Sequence, residues 1–423
     1  MIVKPMIRNN ICLSAHPTGC AAETLRQIEY VKARKPRYEG LALPKAVLVI
    51  GASGGYGLAS RIAAAFGCGA ATVGMSLERE PSDSKTGTPG WYNNKAFDKA
   101  AQGAGLAYRT MNLDAFSSEA KAEAVRAARE LGIKYDLVIY SLASPVRTDP
   151  STGIMHRSVI KPIGQDFSGT TVDVFTGRLS NATVGPATEE ECSETVKVMG
   201  GEDWEFWIQA LKEAGVLADR CRTVAYSYIG PKLSWPIYRD GTLGRAKADL
   251  DATAKRMTER MGQGTVPHVE AYVSVNKAVV TRASAVIPVI PLYVSVLFRV
   301  MKERRNHEDC IAQMDRLFRE RLCLAERHSG RADQGAAPGT DPASAASMMA
   351  SAPPPTDDEG RIRMDDLEMS PGVQAEVEAA MAHITPETLG GLADLEGFRN
   401  DFLSAHGFAV PGVDYDEDVD PRA

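Results

Sequence analysis

Between residues 46 and 145 the chain alternates short, unbroken apolar runs with longer amphipathic ones. AVLVI at 46–50 is apolar at every position, the pattern of a strand buried on both faces. It runs into the glycine-rich stretch GASGGYG at 51–57, and 58–66 then reads as a helix with small residues facing a sheet. The rhythm repeats, with strands predicted over 70–78, 106–115 and 135–145 and helices over 94–105 and 117–132. Strands separated by helices of that length predict an α/β fold, a Rossmann-type doubly wound parallel sheet, and the GxxxGxG spacing of Gly51, Gly55 and Gly57 favours the short-chain reductase kind.

After Pro145 the rhythm breaks into short polar stretches, followed by an amphipathic helix within GGEDWEFWIQALKEAGVLA that Glu202 and Asp203 help to start. This region reads as an insertion near the carboxyl ends of the strands, where open sheets bind ligands. The sheet resumes with RTVAYSYIG and VEAYVSVNKAV. The most apolar run, ASAVIPVIPLYVSVLF at 283–298, is shorter than the ~20 residues a membrane span needs and holds two prolines, so a buried core segment is expected. Residues 329–358 are rich in Ala, Ser, Pro and Gly and read as a flexible linker. Structure is expected to return with GRIRMDDLEM and a helix in GVQAEVEAAMAHI, before an acidic tail, VDYDEDVDP, that should be solvated. The predicted organisation is an N-terminal segment packed on the core (1–45), a dinucleotide-binding half (46–145), a substrate-side insertion (146–220), a catalytic half (221–328), the linker (329–358) and a C-terminal segment (359–423).

Composition narrows the class. A chain of 423 residues that is 44% hydrophobic can bury a large core, and a net charge of −6 with dispersed Lys and Arg argues against a nucleic-acid partner. Seven scattered cysteines without CxxC spacing suit a reducing compartment, and they read as free thiols. Cys12, His16 and Cys20 form a CxxxHxxxC, but no second ligand cluster lies nearby, so no metal is expected. MIVKPMIRNN lacks the apolar core of a signal peptide; a cytoplasmic protein without a membrane span is the expectation.

Candidate chemistry begins at the glycine turn. Its glycines let the main chain approach a pyrophosphate, whose charge meets the amides opening the next helix. The strand before and the helix after supply the context this motif requires. Glu78 ends the second predicted strand, where a carboxylate can accept from the ribose hydroxyls of NADH and would repel the 2′-phosphate of NADPH; Arg79 beside it weakens that preference. Asp114 either binds the adenine edge or caps the next helix. Leu142 and Ala143 close the fourth strand beside the cofactor ribose, with Ser141 and Ser144 as strand-end hydroxyls.

Tyr238 and Lys247 are nine positions apart in YRDGTLGRAK. On one straight helix nine residues turn through about 900°, so the two side chains would point in opposite directions. Asp240 and Gly241 break the helix, and a new one capped by Thr242 would bring both to one cofactor. Tyr238 would then stabilise or protonate an enolate, while the ammonium would lower the tyrosine pKa and hold the nicotinamide ribose. The bland alternative is a packed tyrosine and a surface lysine. Tyr228 adds a second phenol. Ala225 stands where carbonyl-reducing enzymes place a serine, which favours reduction of a conjugated double bond, with Ser227 and Ser234 keeping a ketone reductase open.

The chain resembles the FabV-type enoyl-acyl carrier protein reductases and the related trans-2-enoyl-CoA reductases. The resemblance lies in HPTGC, VLVIGASGGYGLASRIAAAFG, GWYN, YSLASP, MGGEDW, the Tyr238 to Lys247 spacing, KAVVTRASAVIP, PLYVSVLFRVMKE and GFAVPGVDYDEDVDP. It implies NADH-dependent reduction of the trans-2 double bond of an enoyl-acyl carrier protein or enoyl-CoA thioester in fatty-acid synthesis, by a usually monomeric enzyme. It further implies Tyr238 as proton donor, Lys247 as cofactor-orienting lysine and Tyr228 as a substrate contact. The implied NADH contacts are Gly51, Ala52, Ser53, Gly54, Gly55, Tyr56, Leu77, Glu78, Asp114, Ala115, Leu142, Ala143, Val279, Val280 and Thr281. Leu77 departs from the family's usual aromatic residue. The apolar run at 283–298 becomes an acyl-chain wall on this reading. A non-catalytic NADH sensor is the remaining rival.

Overall fold

The computed structural model describes residues 1–8, 11–262, 264–281, 289–325 and 352–422. Strands β1 (Ala46–Ile50), β2 (Ala71–Ser76), β3 (Tyr108–Asn112), β4 (Tyr135–Tyr140), β5 (Leu217–Ser227), β6 (His268–Val275) and β7 (Ile362–Arg363) share one sheet. Their order is β7-β6-β5-β4-β1-β2-β3, and every neighbouring pair is parallel. Strand order reverses between β1 and β4, which opens a crevice beyond their carboxyl ends. This is the doubly wound sheet the periodicity predicts.

Helices α1 (Pro17–Lys32), α2 (Gly55–Ile62), α3 (Pro89–Gly103), α4 (Ser118–Leu131) and α5 (Glu202–Glu213) are followed by α6 (Thr242–Met261), α7 (Ile290–Glu303), α8 (Cys310–Leu317) and α9 (Pro371–Ala382). All five residues of β1 are buried because helices cover both faces. Leu48 and Ile50 meet Ala124 of α4, Trp204 of α5 and Met257 of α6 on one side. Val47 and Val49 meet Val31, Leu58, Phe97 and Met314 on the other. A third apolar cluster joins α7, α9 and Val172, with Tyr228 and Tyr238 partly buried at its edge.

Several expectations are corrected. Strands β3 and β4 stop at Asn112 and Tyr140, so Asp114, Leu142 and Ala143 lie on the loops beyond them. The polar stretch after Pro145 contains two small hairpins, Val146–Thr148 with Met155–Arg157 and Phe167–Asp173 with Arg178–Val184. The second is only partly buried, and FSGTTVD and RLSNATV lack the apolar alternation that would mark its strands. The acidic tail is not simply solvated: its charges stay exposed, but Tyr415 packs edge-on against His16 and the Tyr92 hydroxyl donates to the Pro421 carbonyl. Residues 283–288 and 329–351 of the apolar run and the linker lie outside the described residues. The rest of the apolar run enters α7, buried from Ile290 through Phe298. No helix among the described residues is long and apolar enough to cross a membrane.

Candidate active site

The crevice is bounded on one side by the glycine turn. Gly51 adopts a φ of 90°, and the Gly51 and Ala52 amides both donate to the Met75 carbonyl, at 2.8 and 2.9 Å. A Cβ on Gly51 would lie 2.0 Å from the Ser141 carbonyl oxygen, and one on Gly57 would lie 1.9 Å from the Gly51 carbonyl oxygen. The turn therefore folds onto itself and onto the end of β4 with bare backbone. Helix α2 opens behind Gly54, which offers no side-chain cap. Its first amides, at the positive end of the helix dipole, are thus open to an anion.

The end of β2 is fixed by side chains. Ser53 Oγ donates to Glu78 Oε1 at 2.6 Å, and Asn112 clamps the Glu78 backbone, accepting from its N–H at 2.7 Å and donating to its carbonyl at 2.9 Å. Glu78 is buried against α3, where a Cβ on Gly90 would lie 2.2 Å from Glu78 Oε1. Leu77 is 68% exposed beside it. The Arg79 guanidinium lies 3.5 Å from the Thr86 carbonyl. A backbone cradle, an uncapped helix and a buried strand-end carboxylate fit the adenosine diphosphate half of a dinucleotide.

Asp114 accepts from the Phe116 amide at 3.0 Å, while Ser117 caps α4, so the capping role falls to Ser117. The Ala115 carbonyl is held by Lys121 Nζ at 3.2 Å and Trp207 Nε1 at 3.1 Å, with Lys121 paired to buried Asp203. Leu142 is half-buried and Ala143 exposed just beyond β4. The Tyr56 phenol donates to the Lys277 carbonyl at 2.6 Å. Val279 and Val280 are buried, and the Thr281 methyl lies 3.8 Å from where a Gly55 Cβ would stand, beside the start of α2.

The opposite side is built on the end of β5. Tyr238 closes a short helix, Trp235–Tyr238, and its ring meets that of Tyr228 edge-on, with centroids 4.8 Å apart at 87°. Lys247, in the second turn of α6, donates through Nζ to the Tyr226 carbonyl at 3.3 Å. Both residues of the predicted pair therefore converge on 226–228. The glycines between them are sterically required: a Cβ on Gly241 would lie 2.6 Å from the Lys161 and Pro236 carbonyl oxygens, and one on Gly244 1.8 Å from that of Arg239. Gly241, not Thr242, is the cap position of α6. The Thr242 hydroxyl instead donates to the Val159 carbonyl and accepts from the Lys161 amide.

Electrostatics corrects another expectation. Burial, and then the Glu368 carboxylate, push the Tyr238 phenol above its ordinary range, and Lys247 does not pull it down. Tyr238 is thereby kept as a protonated acid at neutral pH. Desolvation lowers Lys247 to about 8, with Asp251 opposing. Position 225 is a buried alanine rather than the serine of a carbonyl reductase, and Ser234 Oγ is committed to the Pro231 carbonyl at 2.9 Å, while Ser227 ends β5 as a buried residue. Sequence reasoning missed Glu368, fully buried, which accepts from Tyr228 at 3.0 Å and Tyr293 at 2.6 Å. Its only local mark is an acid between Leu367 and Met369.

Fold and glycine turn together define a Rossmann-type α/β protein with a crevice suited to a dinucleotide. Comparison with known proteins narrows this. The family model for the trans-2-enoyl-CoA reductase catalytic region matches residues 85–323, and that for the NAD(P)H binding domain of trans-2-enoyl-CoA reductase matches 2–83. A trans-2-enoyl-CoA reductase [NADH] of Treponema denticola is 53% identical over 422 residues, 99% of each chain. An enoyl-[acyl-carrier-protein] reductase [NADH] of Flavobacterium johnsoniae is 50% identical over 420 residues, 99% of this chain and 98% of that one. The crystal structure of the Treponema denticola trans-2-enoyl-CoA reductase in complex with NAD superposes with a TM-score of 0.90 at 52% identity, over 99% of this chain and 98% of that one. The chain belongs to the trans-2-enoyl-CoA reductase family.

A third model, described as an enoyl reductase FAD binding domain, matches 356–419. Those residues do not fit a flavin dinucleotide. They contribute a strand of two residues and packed helices, with no glycine turn after a strand, and Glu368 directs both carboxylate oxygens into the protein.

Proposed function

We propose that this chain reduces the trans-2 double bond of an acyl thioester with NADH. The observation that carries the reading is the convergence of Tyr238, Tyr228 and Lys247 on the end of β5, beside a crevice whose other side is a bare glycine turn. Bound there, the nicotinamide supplies a hydride to the β-carbon. The chain's own task is to hold the thioester and manage the charge that develops on its oxygen. Tyr238, protonated and half-buried, donates to that oxygen or delivers the proton to the α-carbon. Tyr228, whose proton is committed to Glu368, offers its ring and an acceptor oxygen to the substrate. Lys247, anchored at Tyr226, orients the ribose beside the reacting ring. Gly51, Ala52, Ser53, Gly54, Gly55 and Tyr56 cradle the pyrophosphate through backbone, and Glu78 takes the ribose hydroxyls.

Coenzyme A and acyl carrier protein present the acyl group on the same phosphopantetheine arm, and both are taken as carriers. A cytoplasmic monomer completes the reading. The test is NADH or NADPH oxidation with crotonyl-CoA against acetoacetyl-CoA. Turnover of the enoyl thioester with NADH, well above the 3-oxo substrate and above NADPH, is expected. Faster turnover of acetoacetyl-CoA, or NADH binding without turnover of enoyl thioesters of any length, would sink the proposal.

A further inference from the structure

Glu368 lies 140 residues beyond Tyr228, in the segment that runs from β7 into α9. Its side chain is fully buried, where an unpaired carboxylate would be costly. Three donors meet it: Tyr228 and Tyr293 hydroxyls on Oε1, at 3.0 and 2.6 Å, and the Ala278 amide on Oε2, at 2.6 Å. Gln374 Nε2 reaches both the Glu368 carbonyl, at 2.7 Å, and the Tyr293 hydroxyl, at 3.3 Å, so α9 braces the cluster. The Lys277 ammonium donates to the Ala278 carbonyl at 2.8 Å, placing a cation beside the carboxylate.

Two of these bonds reach working parts of the site. Tyr228 carries the ring on which Tyr238 rests, and Ala278 adjoins the 279–281 segment beside the start of α2. A phenol has one proton. While Tyr228 donates its hydrogen bond to Glu368, it cannot donate to substrate, and the donor role falls to Tyr238. Glutamine cannot replace this function: with its oxygen on the tyrosines its NH₂ confronts the Ala278 amide, and with its oxygen on Ala278 its NH₂ donates to the phenol oxygens and no longer holds the Tyr228 proton.

We infer that Glu368 is a positioning residue for the reduction, fixing the proton and ring of Tyr228 and tying them to the cofactor-side backbone at Ala278. The C-terminal segment thereby completes the active site. This rests on the proposed reductase activity, so wild-type turnover of crotonyl-CoA with NADH is the first measurement. Its absence would defeat that reading before Glu368 is tested.

The test is a double-mutant cycle of Glu368→Gln and Tyr228→Phe, reading kcat and KM for crotonyl-CoA together with Tm. Glu368→Gln is expected to lower kcat at least about tenfold with less than a threefold change in KM. In the Tyr228→Phe background the same change should cost less than about twofold, because its route of action is already gone. Losses in kcat that multiply independently, or a lower Tm with unchanged kcat, would overturn the inference. Should Glu368→Gln fail to fold, Glu368→Asp, which keeps the charge but shortens the reach by a methylene, enters the same cycle with the same two outcomes.

Discussion

The glycine turn and the tyrosine cluster face one crevice but are assembled by different means. The turn is contiguous, residues 51–57, and works through backbone: its surface exists because side chains are missing where Ser141 and the start of α2 approach. The cluster works through side chains gathered from residues 226 to 368. A backbone site tolerates no added atom, whereas a side-chain site depends on particular hydroxyls and charges. The first should therefore fail in binding and the second in turnover.

Gly57→Ala should break the comparison's first half most severely. The new methyl would stand 1.9 Å from the Gly51 carbonyl oxygen, so the turn must open. NADH affinity should fall by about 100-fold, read by fluorescence titration, at a stability cost of about 1–3 kcal/mol for overpacking. A Kd within threefold of wild type would show that the turn does not hold the pyrophosphate.

Lys247 sharpens the second half through pH. Its folded pKa of about 8 lies below the ordinary 10.5, so the group is charged below about pH 8 and neutral above it. The kcat/KM for crotonyl-CoA should therefore fall as pH rises through about 8, and Lys247→Met should lose that limb along with roughly tenfold of activity. The stability sign is opposite: between about 8 and 10.5 the unfolded chain binds the proton and the folded one does not, so this group's contribution to stability rises with pH. An unchanged limb in the variant would assign it elsewhere.

Glu78→Gln carries the smallest effect. Removing one negative charge beside the ribose should improve NADPH relative to NADH by about fivefold to tenfold in kcat/KM, the ~1 kcal/mol of a charge pair about 4 Å apart screened as in water. An unchanged ratio would mean that Glu78 serves only to hold Ser53.

The same contrast explains what could be read in the chain. The turn was legible because its evidence is local: a five-residue strand buried throughout, then glycines, then a helix. The Tyr238 and Lys247 pair was half legible, since Asp240 and Gly241 show where the helix breaks, but their meeting at Tyr226 and Tyr228 depends on β5. Glu368 was not legible. Its burial follows from β7 pairing with β6 at Ser274 and Val275, a long-range contact that no window around GRIRMDDLEM encodes. The hairpin at 167–184 escaped because FSGTTVD and RLSNATV hold too few apolar residues to mark their partly buried face.

The division between binding and chemistry is tested most directly by Tyr238→Phe. NADH affinity would be measured by fluorescence titration, and crotonyl-CoA reduction would be followed in a single turnover with the enzyme saturated in NADH. The account predicts an NADH Kd within about twofold of wild type and a reduction rate lower by about 10²–10⁴, the usual worth of a positioned acid. A variant that still reduces crotonyl-CoA within threefold of the wild-type rate would contradict it, and the acid would have to be sought elsewhere.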